Sequence, residues 1–211
     1  KAVDSLGTGH GYLTLDVTSP DAAEQAMLGS IQKFGGLDIL ISNAGAAHAG
    51  PMLSISEDDL RDAFELNFFS HYSFSTAAAK IFRNQNRGGQ ILFNISKQAV
   101  NPGKNFGAYG MPKATTFFLM KQLALELGAN GIRVNGVNAD RIRSGLLTDD
   151  FISSRAKSRG VSESDYMAGN LLNKEVTAEH VADAFTSLAC AESTTGHVMT
   201  VDGGNIEASL R

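Results

Sequence analysis

Short apolar runs alternate with stretches of helical length along this chain, and that alternation constrains the fold more than any other feature. Residues 37–42, 90–95 and 132–137 are rich in Ile, Leu, Val and Phe. All three read as strands, and the run at 37–42 as one buried on both faces, the condition of a parallel sheet covered by helices. Helical periods lie between them. Residues 21–34 put Ala23, Met27 and Ile31 on one face and stop at Gly35 and Gly36. Residues 57–86 open with Ser56 as N-cap and acids in the first turn. Residues 106–128 form a second long helix, and Thr177 caps another. Further strands are expected at 12–16 and 197–201, and a short helix near 163–171 within a polar, irregular segment, 141–175. The alternation predicts the α/β class, with a doubly wound, Rossmann-like parallel sheet.

A length of 211 residues suits a single domain with a sizeable core. The net charge of −4 supplies no basic footprint, so no nucleic-acid partner is expected. No apolar run reaches the ~18 residues of a membrane span. Cys190 is the sole cysteine, which leaves no disulfide framework and no cysteine metal site and fits a reducing cytoplasm. No metal site is expected. The chain begins with Lys1 rather than Met, so residues upstream of Lys1 are expected.

The chemistry centres on Tyr109 and Lys113. Four residues apart on a helix, they share a face. A cation beside a phenol lowers its pKa from ~10 and makes a base of it. Ligands of such sheets bind at the carboxyl ends of the strands. Asp16, then Asn43, Ala44 and Gly45, then Ser96, then residues 138–144 all fall there. Each alone reads as an ordinary turn; their joint placement points to a site.

Together these residues resemble the short-chain dehydrogenase/reductase family. The matching motifs are Asp16-Val17-Thr18, Asn43-Ala44-Gly45, Asn67 within Glu-Leu-Asn-Phe-Phe, Asn94-Ile-Ser96, Tyr109-x3-Lys113, Ile132-Arg-Val-Asn135 and Val201-Asp-Gly-Gly204. They keep the family's order from residue 12 to 205. More narrowly, Asn94-Ile-Ser-Lys-Gln-Ala, Asn138-Ala-Asp-Arg-Ile-Arg and Asp202-Gly-Gly-Asn-Ile-Glu-Ala resemble the C-terminal dehydrogenase domain of bifunctional rhamnulose-1-phosphate aldolase/lactaldehyde dehydrogenases. The resemblance implies hydride transfer between nicotinamide and a small polar alcohol or carbonyl substrate, lactaldehyde in the narrower case. The implied cofactor is NAD, with NADP left open.

Carried over by residue, the resemblance makes Tyr109 the general acid/base. Lys113 lowers its pKa and meets the nicotinamide ribose, and Asn67 holds a water that links Lys113 to solvent. Asp16 and Val17 contact adenine; Asn43, Ala44 and Gly45 flank the cofactor; Ser144 meets the carboxamide or pyrophosphate. The substrate-orienting position is either Ser96, counted back from Tyr109, or Lys97, counted from Asn94; the reading favours Ser96. The family also implies a homo-oligomer through helices 57–86 and 106–128 and a substrate lid at about 145–175. Where the family has Pro-Gly, this chain has Ala139-Asp140 followed by Arg141 and Arg143, either a solvated loop or a grip on an anionic group.

The family's glycine-rich turn is expected to be missing. Gly7-Thr-Gly-His-Gly11 precedes a strand instead of following one, so it reads as a plain loop. By alignment, residues 12–16 are then the third strand, and the first βαβ unit, about 30 residues, lies outside the chain. That predicts unpaired sheet edges and either proteolysis or a disordered first segment, or else a third strand displaced or paired with another chain, together with weak dinucleotide binding and no activity of this fragment alone. Two other readings remain open: a non-catalytic domain kept for assembly, and a related sugar epimerase or dehydratase. Asn43-Ala44-Gly45 and the terminal Asp-Gly-Gly favour the simple dehydrogenase.

Overall fold

The structure, a computed structural model, describes residues 6–205, so Lys1 and the last residues of the terminal motif lie outside it. Four parallel strands form one sheet in the order β1 (Ile39–Ser42), β2 (Gly89–Asn94), β3 (Ile132–Ala139), β4 (Val198–Val201). Ile39 pairs with Gln90, Gly89 with Ile132, and Gly136 with Val198. Helices cover both faces, as the apolar runs require. Ile91 and Phe93 of β2 enter a core with Phe82, Met120, Ile132 and Val134. Leu92, between them in sequence, points the other way and packs with Val137, Phe185 and Leu188. This is the α/β, Rossmann-like architecture expected.

Local signals set the helices. α1 (Ala22–Phe34) ends at Gly35, whose φ of 80° is a left-handed cap that glycine adopts without strain. Ser56 caps α2 (Glu57–Phe64), its hydroxyl accepting from the Asp59 N–H at 3.0 Å. A π-helical turn (Glu65–Phe69) joins α2 to α3 (Ser70–Gln85). α4 (Gly107–Leu127) buries Tyr109, Lys113, Met120 and Leu123. Thr177 caps α7 (Ala178–Cys190) through a reciprocal bond with His180.

Three expectations need correction. Residues 12–16 form no strand; Tyr12 is 78% exposed. A strand needs a neighbour for its backbone groups, and β1 pairs with β2 alone. The run at 37–42 is likewise not buried on both faces, because β1 is a sheet edge with Ile39 and Ile41 exposed. Finally, the segment 141–175 is not irregular. Thr148 caps an unforeseen helix, α5 (Asp149–Arg159), which packs with α6 (Glu163–Met167) around buried Leu147, Ile152, Tyr166 and Met167. Among the described residues no helix is long and apolar enough to cross a membrane.

Candidate active site

A cavity of about 610 Å³ opens at the carboxyl ends of β2 and β3, walled on its far side by α5 and α6. Its volume lies in the range of small-molecule sites. Ser96, Tyr109 and Ser144 all line it. Ser96 follows β2 in extended backbone, φ −168°, and caps a short 3₁₀ turn, Lys97–Ala99. Tyr109 sits in the first turn of α4 and is buried. The two residues, thirteen positions apart in sequence, line the same cavity.

Burial pushes the Tyr109 phenol above its ordinary pKa of 10.0, and the Ser96 hydroxyl pulls the other way. The expected lowering by Lys113 is therefore not the dominant effect here. Lys113 Nζ lies 5.9 Å from the Tyr109 ring centroid and spends its hydrogen bonds elsewhere. It donates to the Asn94 carbonyl at 3.0 Å and approaches His71 Nε2 at 3.5 Å. Burial lowers its own pKa from 10.5 to about 8.

Behind the cavity lies a second, buried group of residues. Asn67 belongs to the π-helical turn, where the Ser70 N–H reaches back five residues to Glu65 O. The Asn67 amide donates to Ala63 O at 3.0 Å and Ala46 O at 2.9 Å, and its Oδ1 accepts from the Ala46 N–H at 3.3 Å. Its backbone carbonyl accepts from Thr116 Oγ1 at 2.7 Å. Asn67 thus ties the loop after β1 to α4. Gly45 fits this junction because it lacks a side chain: a Cβ there would come 2.8 Å from Asn67 Oδ1. Asn43 Oδ1 accepts from the Asn94 amide at 2.6 Å, and the Ala44 backbone counters part of the lowering of the His71 pKa.

His71 is the member that sequence reasoning missed. It is 1% exposed, and its Nδ1 lies 2.6 Å from Ser42 Oγ. Burial, then the Lys113 charge, lower its pKa from 6.5 to about 3, so the imidazole is neutral. One signal was available: His71 follows Asn67 by four residues and so shares its helical face.

Asp16 and Val17 stand apart from both groups. They lie in a turn where Thr18 donates twice to the Asp16 carboxylate, holding it below its usual range. Lys97 also lines the cavity, but its Nζ is paired with Asp140 at 2.9 Å. Arg141 lines it too, with Nε 3.3 Å from Asp140. Arg143 does not line the cavity; it is held outside by Asp149 and Glu175 at 2.6 and 2.7 Å.

A parallel sheet with a serine and a tyrosine sharing a cavity, and a lysine one turn behind the tyrosine, defines a short-chain dehydrogenase/reductase. The family profile described as enoyl-(acyl carrier protein) reductase matches residues 1–205, and the chain belongs to this family of short-chain dehydrogenases/reductases. It is 32% identical over 210 residues to an uncharacterised oxidoreductase, YuxG, of Bacillus subtilis (strain 168), covering 95% of this chain and 30% of that protein. The chain therefore spans under a third of that relative's length. It is 29% identical to an L-2,3-butanediol dehydrogenase of Corynebacterium glutamicum, over 97% of this chain and 81% of that one. Among solved structures, ElxO with NADP bound superposes with a TM-score of 0.81 at 25% identity, covering 93% of this chain and 78% of that chain.

Proposed function

We propose that the chain is an NAD(P)-dependent oxidoreductase acting on a small polar alcohol or carbonyl compound. One observation carries the reading: Ser96 and Tyr109 meet at a cavity wall with Lys113 buried one turn behind. The residues fit the nicotinamide end of such a cofactor, since Gly45 keeps clear the space that a Cβ would take beside Asn67 and Lys113. Asn43, Ala44, Gly45, Tyr109, Lys113 and Ser144 would hold that end, and Asp16 and Val17 the adenine end. When bound, the cofactor supplies or accepts the hydride. In reduction the Tyr109 phenol, kept protonated by burial, gives its proton to the carbonyl oxygen and is left as phenolate; in the oxidative direction that phenolate, formed by prior loss of the phenol proton, takes the hydroxyl proton as the carbon loses hydride. Ser96 hydrogen-bonds that oxygen and orients it. Lys97 is a poor substitute in this role because Asp140 already holds its ammonium.

The bound NADP of ElxO and the alcohol chemistry named for the butanediol dehydrogenase support this reading. The match to 30% of YuxG is consistent with a dehydrogenase domain inside a longer protein; the narrower reading, an aldolase/dehydrogenase with lactaldehyde as substrate, rests on the sequence resemblance alone. Assembly into a homo-oligomer is supported by the exposed apolar side chains of Phe69, Tyr72, Phe118 and Leu125, on the two helical stretches the family uses for contact. The segment 145–175, now with two helices, would cover the substrate.

The test, at millimolar cofactor and followed by nicotinamide absorbance, is reduction of NAD or NADP by small alcohols and oxidation of NADH or NADPH by small aldehydes and ketones including lactaldehyde. Tyr109→Phe should lower turnover by ~10²–10⁴-fold without loss of fold. Ser96→Ala should do likewise and Lys97→Ala should not; the reverse pattern would transfer the orienting role to Lys97. No turnover with any substrate in the panel would sink the proposal.

A further inference from the structure

Charge is distributed unevenly around the cavity. The chain carries 18 basic and 22 acidic residues. The cavity wall nevertheless carries Lys97, Lys104, Arg141, Arg155 and Arg159 against the single carboxylate of Asp140. That carboxylate is already shared between Lys97 at 2.9 Å and Arg141 at 3.3 Å, and it also accepts from the Asn205 amide at 2.8 Å. Two cations on one carboxylate leave the cluster positive. No carboxylate among the described residues pairs with Lys104, Arg155 or Arg159.

Cations at a rim are often merely solvated, and Lys104 and Arg159 are exposed enough for that. Arg155 is different. Its Nε is buried and has no hydrogen-bond partner among the described residues. The side chain as a whole is half-buried, and a buried donor without an acceptor is costly. The guanidinium lies 5.4 Å from the Phe106 ring centroid and 5.9 Å from that of Phe151. Phe106 is the residue that opens α4, three positions before Tyr109, or ~4.5 Å along the helix axis. A guanidinium whose Nε has no partner among the described residues thus lines the same cavity as Ser96 and Tyr109.

We propose that the cavity takes a substrate bearing an anionic group, a carboxylate or phosphate monoester, held by Arg155 while the substrate's alcohol or carbonyl oxygen lies at Ser96 and Tyr109. The guanidinium offers two parallel N–H donors, the geometry that both anions accept. Lys104 and Arg159 at the mouth raise the local concentration of anions. The second half of the proposal rests on the oxidoreductase reading; the anion site does not.

Glycerol, glycerate and glycerol 3-phosphate share a skeleton and differ in charge. Titrated into the 211-residue chain at constant ionic strength and followed by calorimetry, at least one anion should bind ten times or more tighter than glycerol. The tighter anion identifies the group. Arg155→Met should weaken that anion at least tenfold, and Arg155→Lys should recover part of the loss. No saturable anion binding, equal binding of glycerol, or wild-type affinity in a folded Arg155→Met protein would overturn the proposal. Should Arg155→Met fail to fold, the double variant Lys104→Met/Arg159→Met, changed only at exposed positions, should still lower anion affinity several-fold, and unchanged affinity there also counts against it. Nicotinamide reduction is measured separately: anion binding without turnover upholds the anion site and removes the oxidoreductase reading alone.

Discussion

Burial governs the protonation of the three groups nearest the proposed chemistry, and each leaves a mark on stability. His71 stays neutral in the fold down to about 3, while in the unfolded chain it titrates near 6.5. Between those values the unfolded state binds the extra proton. Stability is therefore full above pH 6.5 and is lost as pH falls, by at most ~1.4 kcal/mol per pH unit. His71→Gln removes that proton, so urea midpoints measured from neutral to acid pH should flatten by about one proton's worth of slope. Parallel slopes in the two proteins would refute a buried, neutral imidazole. Lys113 acts with the same sign in an alkaline window. Its folded pKa is about 8 against 10.5 unfolded, so the unfolded state holds more protons between them and stability rises with pH across that range. Lys113→Met should abolish the rise. Tyr109, raised above 10.0, opposes it only at the upper end.

At the scale of elements, the π-helical turn is the joint on which the site is built. It presents the Asn67 side chain to Ala46 and its carbonyl to Thr116, and so locks the loop after β1 onto α4. Gly45→Ala would force a Cβ against Asn67 Oδ1 at 2.8 Å; overpacking of this kind costs about 1–3 kcal/mol. Thr116→Val removes the hydroxyl donated to the Asn67 carbonyl, at a cost of about 1 kcal/mol. Both losses should appear as lower urea midpoints with unchanged slopes, and a neutral result for both would mean that the joint is pliable. Much of this was legible beforehand. β2, β3 and α4 announce themselves through uninterrupted apolar runs that two packed faces demand, and Ser56 and Thr177 mark helix starts by chemistry alone. α5 was equally marked, by Thr148 followed by Asp149 and Asp150, but its polar surface masks the few apolar residues it buries. His71 was not legible as a site residue because a histidine on a helix reads as core; only the approach of Lys113 and Ser42 gives it company.

For the whole molecule, the decisive property is what stands beside β1. The strand at 12–16 was misread because a strand's existence depends on a neighbour, which local pattern does not supply; β1 pairs on one side alone. The same geometry bears on cofactor affinity. A dinucleotide's pyrophosphate is held by backbone N–H groups where a glycine-rich turn leads from a strand into a helix N-terminus. Among the described residues no such turn exists: Gly7 and Gly9, with φ of 82° and 96°, lie in a loop that follows no strand, and α1 begins only at Ala22. By the function proposed above, Tyr109, Lys113 and Gly45 serve the nicotinamide end, while the described residues offer the pyrophosphate no cradle of this kind. NADH titrated into the 211-residue chain and followed by its own fluorescence should therefore bind only in the millimolar range, with Lys113→Met weakening it further through the ribose contact. Micromolar affinity would mean that some other part of the molecule, the cationic cavity wall foremost, grips the pyrophosphate. In that case Arg155→Met would weaken NADH as well as the anionic substrate, and the two ligands would compete where the present reading has them bind side by side.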